Sequence, residues 1–301
     1  MPDPAEVPEP GAADGTAGPG RARKAKALRV RLTDLGPRIG SGVVLVAGAV
    51  LTLLSGGLIF LLAWLAAAFM VHLEWQRLIG GTRLMLRVGV GALAIIGAGF
   101  LTRADHVGPA LFVLGLGVLA SAYMAGEGRR AWSAAGIVYA GSLIISVAVL
   151  RGSFPFGARA VGWLFAVVWG TDIMAYFAGR LIGGPKFAPQ ISPSKTWAGT
   201  LCGMIGGACL GTLFLIVIAH ITRLETPAPL YVLFLLGLIT SAVAQGGDLF
   251  ESWVKRCFGA KDTGGLIPGH GGLMDRLDGF IAAAAVVAVL GALRGFISVY
   301  G

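Results

Sequence analysis

Long apolar runs separated by short polar segments make up most of this sequence from about residue 40 onward. Several of these runs approach or exceed the roughly 18–20 residues that an α-helix needs to cross the hydrocarbon core of a bilayer. We find no ten-residue alternation of the kind that transmembrane β-strands show. The pattern therefore predicts an all-α polytopic membrane protein with about nine transmembrane helices.

The first apolar run, residues 41–73, is too long for one comfortable crossing and short for two. Because SGG at residues 55–57 favours a turn, we predict two short spans there, arranged as a helical hairpin. The other predicted spans are residues 86–101, 109–125, 133–150, 161–179, 198–222, 229–247 and 279–296.

The distribution of Lys and Arg supports nine spans. With a cytoplasmic amino terminus, the cytoplasmic segments then hold most of the 24 Lys and Arg residues, as the positive-inside rule requires. A single crossing in the first run would move the most basic loops to the outside. We therefore expect the polar segment at residues 261–279 to face the cytoplasm.

Composition agrees with a membrane protein. The 301 residues are 56% hydrophobic and 13% charged, whereas about a quarter of the residues in soluble domains are charged. Residues 1–39 differ, since a Pro-, Gly- and acid-rich stretch precedes the basic RARKAKALRVRL. We predict a disordered tail there, and its basic part either contacts anionic lipid or is a solvated linker. Residues 40–301 would form one transmembrane domain.

Candidate chemistry begins just past the eighth predicted span. Asp248, Ser252 and Lys255 follow one another at i, i+4 and i+7, and so share one face of a helix. The alternative is a surface helix on which Glu251 and Lys255 form an ordinary exposed ion pair. The segment also holds two further cations, Arg256 and Lys261.

The glycine-rich stretch KDTGGLIPGHGGLMDRLDG, residues 261–279, comes next. Its glycines, Gly271 and Gly272 among them, let the backbone approach a ligand closely. We predict that a helix begins near Leu273, so that its free N–H groups and positive dipole end offer a site for phosphate. His270 has no second histidine nearby, and we predict that it hydrogen-bonds phosphate or shapes the loop.

Three charged side chains follow this loop. Asp275 and Asp278 stand three apart, so both carboxylates project from one side of the first helical turn and are placed to ligate a divalent cation. Arg276 adds a planar set of donors for phosphate. The alternative is a capped helix start, because acids at that position also interact favourably with the helix dipole.

Two other polar clusters lie near predicted spans. Asp172 falls inside the span 161–179, where an ionisable side chain is costly and therefore indicates function, unless it makes a structural contact with a Tyr or Arg. The stretch QISPSKTWAGT provides Ser192, Lys195 and Thr196 at the start of the seventh predicted span. Hydroxyls there cap backbone donors, and Lys195 is placed to neutralise a phosphate.

Several enzyme classes are not indicated. The sequence contains no GxxxxGK[ST] and no HExxH, which argues against a P-loop NTPase and a membrane zinc protease. Three cysteines have no spacing typical of a zinc site or a disulfide framework. What remains is the handling of phosphate at a membrane surface, with no nucleic acid as partner.

Residues 252–278, SWVKRCFGAKDTGGLIPGHGGLMDRLD, resemble the signature of the phosphatidate cytidylyltransferase family, also called CDP-diacylglycerol synthases. That signature reads S-x-x-K-R-x4-K-D-x-G-x2-x-P-G-H-G-G-x-x-D-R-x-D, and every fixed position is met. The resemblance extends to QGGDLFES, SPSKTWAG, DIMAYFAGR and, more loosely, EWQRL at Glu74. One departure is that Ser194 and Ala198 replace a lysine and a glutamate of the usual S-P-K-K-T-x-E-G.

The resemblance implies transfer of CMP from CTP to phosphatidic acid, with Mg²⁺ and release of pyrophosphate. It implies that Asp248 and Asp275 bind the metal, while one or two cations, and a monomer or a homodimer, stay open. The cationic residues named above would stabilise the pyrophosphate or hold phosphate, and Asp278 would orient Arg276 or hold a second cation. A bacterial inner membrane, with the site facing the cytoplasm, is the expected location.

Two alternatives are kept. One is another membrane nucleotidyltransferase or phosphotransferase that acts on a polyprenyl phosphate and uses the same metal and basic face. The other is an ion-coupled transporter in which Asp172 is the carrier carboxylate, although we detect no internal repeat of the kind that transporters show.

Overall fold

A computed structural model describes residues 35–153, 156–264 and 271–300 of the chain. The elements in this described part, in chain order, are α1 (Leu35–Ser55), α2 (Gly57–Ile79), α3 (Leu84–Arg103), α4 (Val107–Met124), α5 (Arg130–Gly152), α6 (Gly157–Leu181), β1 (Lys186–Ala188), β2 (Ser192–Thr196), α7 (Trp197–Thr222), α8 (Leu230–Cys257) and α9 (Met274–Tyr300). The predicted tail lies outside the described residues, except that α1 already begins at Leu35.

The helices confirm a polytopic membrane protein. Eight of them, α2 to α9, are long and apolar enough to cross a membrane, and in α1 the apolar part is the shorter Gly42–Ser55. Large apolar side chains point outward from them, among them Leu93 and Phe112, which are 72% and 68% exposed. In water such exposure is unfavourable, whereas in a bilayer it is the surface that lipid covers.

The first apolar run is divided where the sequence predicts. Gly56 and Gly57 have φ angles of 62° and 54°, a left-handed conformation that glycine adopts without steric cost, and they separate α1 from α2. The guanidinium of Arg151 lies where a side chain on Gly56 would be. The prediction of two short spans is only partly met, because α2 alone is a full 23-residue span.

A buried arginine fixes the turn between α2 and α3. The Arg87 side chain is fully buried and donates to the carbonyl oxygens of Gly80 and Thr82, at 2.5 and 2.9 Å. It also donates to Gln76 Oε1 at 2.6 Å, and Gln76 in turn donates to the Ser133 carbonyl on α5 at 3.1 Å. This network satisfies a charge that has left water, and it holds the ends of three helices together.

Glycines let α6 and α7, the most extensive helix pair, approach closely. A Cβ on Gly203 would lie 2.8 Å from Ala175 Cβ and 2.9 Å from the Thr171 carbonyl oxygen. Gly199, one turn earlier, would place a Cβ 2.8 Å from the Ala175 carbonyl oxygen. Small residues at such spacing are the usual means by which spanning helices gain packing contacts in lipid.

Aromatic rings join α2, α6 and α9 in the interior. Trp64 stacks on Phe280 and on Phe165, with ring centroids 5.1 and 6.1 Å apart. Phe165 also stacks on Trp169 at 4.7 Å. These contacts hold α2, α6 and α9 around one centre.

One end of the bundle gathers the helix ends that bear the polar segments. The carboxyl ends of α2, α6 and α8 meet the amino ends of α3, α5, α7 and α9 there, as shown by contacts such as that of Trp132 on α5 with Trp253 on α8, at 5.6 Å. Helix α8 runs ten residues beyond its predicted end at 247, and so carries the whole polar segment to Cys257. We call this end the site end.

A β-hairpin between α6 and α7, at the site end, is the one feature in the described residues that the apolar pattern does not predict. Strands β1 and β2 pair antiparallel, with Lys186 opposite Thr196. Thr196 then caps α7, because its Oγ1 accepts the Gly199 N–H at 3.1 Å. The predicted capping role of a hydroxyl in this stretch is confirmed for Thr196.

Gly203→Leu should destabilise the protein, because its side chain would meet the backbone of α6. Overpacking of this kind costs about 1–3 kcal/mol, so the thermal unfolding midpoint of the purified protein in detergent should fall by several degrees. Gly115→Leu on α4 is the matched control, since nothing lies within 4 Å of a Cβ there. An equal loss of stability in both variants would contradict the close α6–α7 packing.

Candidate active site

A cavity of about 790 Å³ opens at the site end, between α1, α2, α6, α8 and α9. Its walls along α1 and α2 are apolar, with Trp64 and Met70 among them, and the rings of Phe165, Trp169 and Phe280 complete this part. At its other end the lining is charged, with the side chains Asp172, Asp248, Lys255, Asp275, Arg276 and Asp278. The cavity is therefore amphipathic.

Lys255 lies at the centre of the charged end. Its Nζ is 2.7 Å from Asp275 Oδ1 on α9 and 2.6 Å from Glu251 Oε2, one turn earlier on α8. The Glu251 carboxylate is completely buried, so the expectation of an ordinary exposed Glu251–Lys255 pair is wrong in its exposure, although the pair itself exists. A buried carboxylate needs such a partner, because an unpaired charge away from water is costly.

Asp275 also accepts hydrogen bonds from the loop before α9. Its Oδ2 accepts the N–H of Gly272 at 2.9 Å, the N–H of Thr263 at 3.2 Å and the Thr263 hydroxyl at 3.0 Å. One carboxylate thus ties α8, the loop and α9 together. Its other oxygen is held by Lys255, so the side chain has a fixed direction.

The amino end of α9 is not free for phosphate, contrary to the sequence prediction. Glu74 on α2 accepts the N–H groups of Leu273 and Met274, at 2.9 and 2.7 Å, and Asp275 accepts that of Gly272. The interpretation as a capped helix start is therefore confirmed for these three donors. The helix itself begins at Met274, one residue after the predicted start.

Gly271 and Gly272 are each required in the loop for a different physical reason. Gly271 has a φ of 79°, in the left-handed region. A Cβ on Gly272 would lie 2.7 Å from Glu74 Oε2, and it would also meet the Thr263 hydroxyl. For Gly272 the close approach is therefore to the protein's own carboxylate, while Gly265, Gly269 and His270 lie outside the described residues.

Asp248 forms a second ion pair in the charged end. Its Oδ2 is 2.7 Å from Lys195 Nζ on β2, and its Oδ1 accepts the Ser252 hydroxyl at 3.4 Å. Lys195 also donates to the Gln245 carbonyl at 3.5 Å. The β-hairpin thus delivers Lys195 to the face of α8 that Asp248, Ser252 and Lys255 share, as the spacing of these three predicts.

Asp172 and Asp278 face the same cavity from α6 and α9. Asp278 Oδ1 accepts the N–H of Gly279 at 2.7 Å. The polar stripe predicted on α6 is divided, because Arg180 donates to the Tyr176 hydroxyl at 2.5 Å, whereas Asp172 turns to the cavity. The alternative, a structural contact between Asp172 and a Tyr or Arg of another helix, stays a prediction.

Some predicted residues are not brought into the cavity. Arg256 is exposed and donates to the Ala260 carbonyl at 3.0 Å, and Lys261 is exposed in the loop. Ser192 is half-buried on β2, and Thr196 is buried as the α7 cap. Among the residues that line the cavity these four do not occur, and their roles toward substrate stay predictions.

The residues present suit a hard divalent cation in one specific way. Within residues 35–153, 156–264 and 271–300, no group of three or more His, Cys, Asp or Glu residues is placed to hold a metal. Mg²⁺, however, usually takes only one or two carboxylates and completes its shell with water and substrate phosphates. Asp248 and Asp275, whose oxygens face one cavity, fit that pattern.

Two buried carboxylates that support the site, Glu74 and Glu251, were not predicted to do so from the sequence. Both are buried, at 1% and 0% exposure, and neither lines the cavity. A glutamate inside an apolar stretch is the signal for Glu74, since a charge there requires a partner. The signal for Glu251 is weaker, because its i+4 spacing to Lys255 is equally typical of an exposed pair.

Comparisons with known proteins show which family the chain resembles. The model of the cytidylyltransferase family matches residues 37–293. A phosphatidate cytidylyltransferase of Brucella abortus biovar 1 (strain 9-941) is 40% identical over 265 residues, which are 87% of this chain and 95% of that protein. Phosphatidate cytidylyltransferases of Rickettsia bellii (strain RML369-C) and Bacillus subtilis (strain 168) are each 36% identical, over 50% and 48% of this chain and 64% and 51% of their own length. The resemblance found in the signature is confirmed.

Lys255→Met should destabilise the protein, because it leaves the buried Glu251 carboxylate without its cation. Loss of one partner from a buried pair costs roughly 3–5 kcal/mol, which thermal unfolding in detergent would register. The double variant Glu251→Leu, Lys255→Met should regain much of this stability. If the single variant were as stable as the unchanged protein, the buried pair would be of no consequence.

Proposed function

This chain belongs to the cytidylyltransferase family, and on that premise we propose how its site works. Its activity is that of a phosphatidate cytidylyltransferase, or CDP-diacylglycerol synthase. The reaction transfers CMP from CTP to the phosphate of phosphatidic acid, giving CDP-diacylglycerol and pyrophosphate. The sequence alternatives of a polyprenyl phosphate enzyme and an ion-coupled transporter receive no support from these relatives.

The amphipathic cavity is the observation that supports this function most directly. Phosphatidic acid has a doubly charged head and two apolar chains. The cavity likewise has a charged end and an apolar wall. We assign the phosphates of both substrates to the charged end. The acyl chains then extend along α1 and α2 toward the lipid, which explains why the site is built on spanning helices.

Asp248 and Asp275 are the residues that we assign to Mg²⁺. Both are carboxylates at the charged end. Each forms an ion pair with a lysine at 2.7 Å, which holds the side chain in place. When bound there, the ion would draw charge from the triphosphate and orient it. Asp172 and Asp278 line the same end and are the candidates for a second cation.

The reaction needs no strong base. An oxygen of the phosphatidate dianion attacks the α-phosphorus of CTP, and a new P–O bond forms while the bond to the bridging oxygen of the β-phosphate breaks. The electron pair of that bond leaves with pyrophosphate. Lys255 and Arg276, both at the charged end, stabilise the charge that builds on it.

Lys195 is assigned to the phosphate of the lipid. Its ammonium reaches Asp248 from the β-hairpin, so it lies beside the charged end without being part of a spanning helix. A lysine offers a compact charge with rotatable donors, which suits a phosphate that must enter and leave. Ser252, which donates to the same carboxylate, would keep Asp248 in place.

We further propose that the site end faces the cytoplasm of a bacterial cell. The helix ends, hairpin and loops at this end carry Arg77, Arg83, Arg129, Arg130, Lys186 and Lys261. Loops rich in Lys and Arg stay on the cytoplasmic side during insertion. CTP is available on that side, so orientation and substrate supply agree.

Asp275→Asn should remove turnover, because an amide binds Mg²⁺ far more weakly than a carboxylate. A loss of a few kcal/mol in transition-state stabilisation corresponds to at least about a hundredfold in rate. The measurement is Mg²⁺-dependent release of pyrophosphate from CTP with phosphatidate in detergent. Asp105→Asn, in the α3–α4 turn at the opposite end, is the matched control and should retain full turnover.

Ala66→Phe should impair use of the lipid but not of CTP. Ala66 lines the apolar part of the cavity, and a phenyl ring there would take up space that we assign to an acyl chain. We expect kcat/KM for phosphatidate to fall by about tenfold, since about 1.4 kcal/mol of apolar contact is lost, with KM for CTP unchanged. Leu62→Phe, on an exposed position of α2 outside the cavity lining, is the control. Equal effects on both substrates would contradict the assignment of this wall to lipid.

A further inference from the structure

Glu74 makes contacts that the proposed reaction does not use. Its side chain is buried, at 1% exposure, near the carboxyl end of α2. Oε1 accepts the Leu273 N–H at 2.9 Å, and Oε2 accepts the Met274 N–H at 2.7 Å. About 200 residues separate donor and acceptor in sequence, so α2 supplies the cap of a distant helix.

This cap satisfies two backbone donors, one of them on a fully buried residue. The first N–H groups of an α-helix have no partner within the helix, and Met274 is fully buried. A carboxylate suits that place, because the amino end of a helix carries a partial positive charge. Both oxygens of Glu74 are engaged, and each N–H points at a separate oxygen, so the side chain holds α9 at two points.

The same carboxylate is linked to the carboxylate assigned to metal. The Thr263 hydroxyl lies 3.4 Å from Glu74 Oε2 and 3.0 Å from Asp275 Oδ2. Gly272 passes between them, and a side chain there would meet Glu74. The first turn of α9, which bears Asp275, Arg276 and Asp278, is thus set against α2 by one side chain.

We propose that Glu74 is a positioning residue of the reaction: it caps α9 and thereby fixes where Asp275 and Arg276 point. The proposal rests on the function proposed above for these two residues. Glu74 does not touch substrate, because the described residues that line the cavity include Asp275 and Arg276 but not Glu74. Its effect on the chemistry must therefore pass through α9.

Glu74→Gln tests this proposal with little change in shape. The glutamine keeps one carbonyl oxygen for one N–H, but its NH₂ group then faces the other N–H, where an acceptor is needed. We expect kcat to fall by about tenfold or more, as for other groups that orient metal ligands, and the Mg²⁺ concentration for half-maximal rate to rise. KM for CTP should change less than kcat.

Hydrogen–deuterium exchange measured by mass spectrometry gives a readout that does not depend on turnover. In Glu74→Gln, peptides that contain Leu273 and Met274 should exchange faster, whereas peptides from α6 and α7 should be unchanged. This result would be seen even if Asp275 did not bind metal, so the cap and the proposed function fail separately. Unchanged exchange at 273–274 would overturn the cap.

Gln76→Ala is the matched control, since Gln76 is another buried polar residue of α2, and its side chain bonds to Arg87 and Ser133 on α3 and α5. It breaks the Arg87 network, so the unfolding temperature should fall while kcat per folded protein stays near normal. Glu74→Gln should lower kcat per folded protein, whatever its effect on the unfolding temperature. If Glu74→Gln lost only stability, with kcat per folded protein unchanged, the residue would be structural and the positioning role would be wrong.

Thr263→Val is a second variant in case Glu74→Gln folds poorly. It removes the hydroxyl that lies between the two carboxylates and keeps the side-chain shape. We expect a smaller fall in kcat, about threefold to tenfold, in line with the loss of one hydrogen bond of about 1 kcal/mol, together with a rise in the Mg²⁺ requirement. Wild-type values for both quantities would contradict the link between Glu74 and Asp275.

Discussion

Carboxylates that lie out of water at the ends of helices are the constraint on which this structure depends. Glu74 and Glu251 are both buried, and a buried carboxylate is tolerated only with a cation or several donors. Glu251 receives the Lys255 ammonium, and Glu74 receives two N–H groups of α9. Glu74 on α2 caps α9, and Lys255, which pairs with Glu251 on its own helix α8, also contacts Asp275 on α9, so α2, α8 and α9 converge where these charges are satisfied together.

The same requirement prepares the site for a polyphosphate. Each carboxylate that we assign to metal already has a lysine partner, Asp248 with Lys195 and Asp275 with Lys255. A site whose charges are paired does not repel an entering triphosphate as an uncompensated acidic cluster would. The lysines offer positive charges to the substrate phosphates, and the aspartates offer oxygen ligands to a metal ion. Preorganisation of this kind is the main way in which proteins stabilise developing phosphate charge.

The sequence predicted those features that depend on local pattern. Apolar run lengths, the glycine break at residues 55–57 and the shared face of Asp248, Ser252 and Lys255 were readable, because each follows from helix geometry within a few residues. The break and the shared face agree with the structure. The partner of each charged side chain could not be predicted in the same way. Nothing near Glu74 in the sequence shows that its donors lie at Leu273 and Met274.

This distinction explains the error about the amino end of α9. A glycine-rich loop followed by a helix start is the usual pattern for phosphate on free N–H groups, and locally the pattern is present. These N–H donors are nonetheless occupied, because they bond to a carboxylate of α2 and to one of α9 itself. The local sequence determines which N–H donors exist, whereas tertiary packing determines which acceptor each donor contacts.

The glycine break in the first apolar run gains a functional reason from the cavity. A continuous helix over residues 35–79 would be about 68 Å long, at 1.5 Å per residue, and about twice the 30 Å hydrocarbon core. The break at Gly56 and Gly57 instead separates α1 from α2, and residues of both helices line the cavity. Helix α1 thus adds its own part to the apolar wall. An enzyme that joins a water-soluble nucleotide to a lipid requires both in one cavity, and the two glycines that divide the span lie between the two helices that form the wall we assign to the lipid.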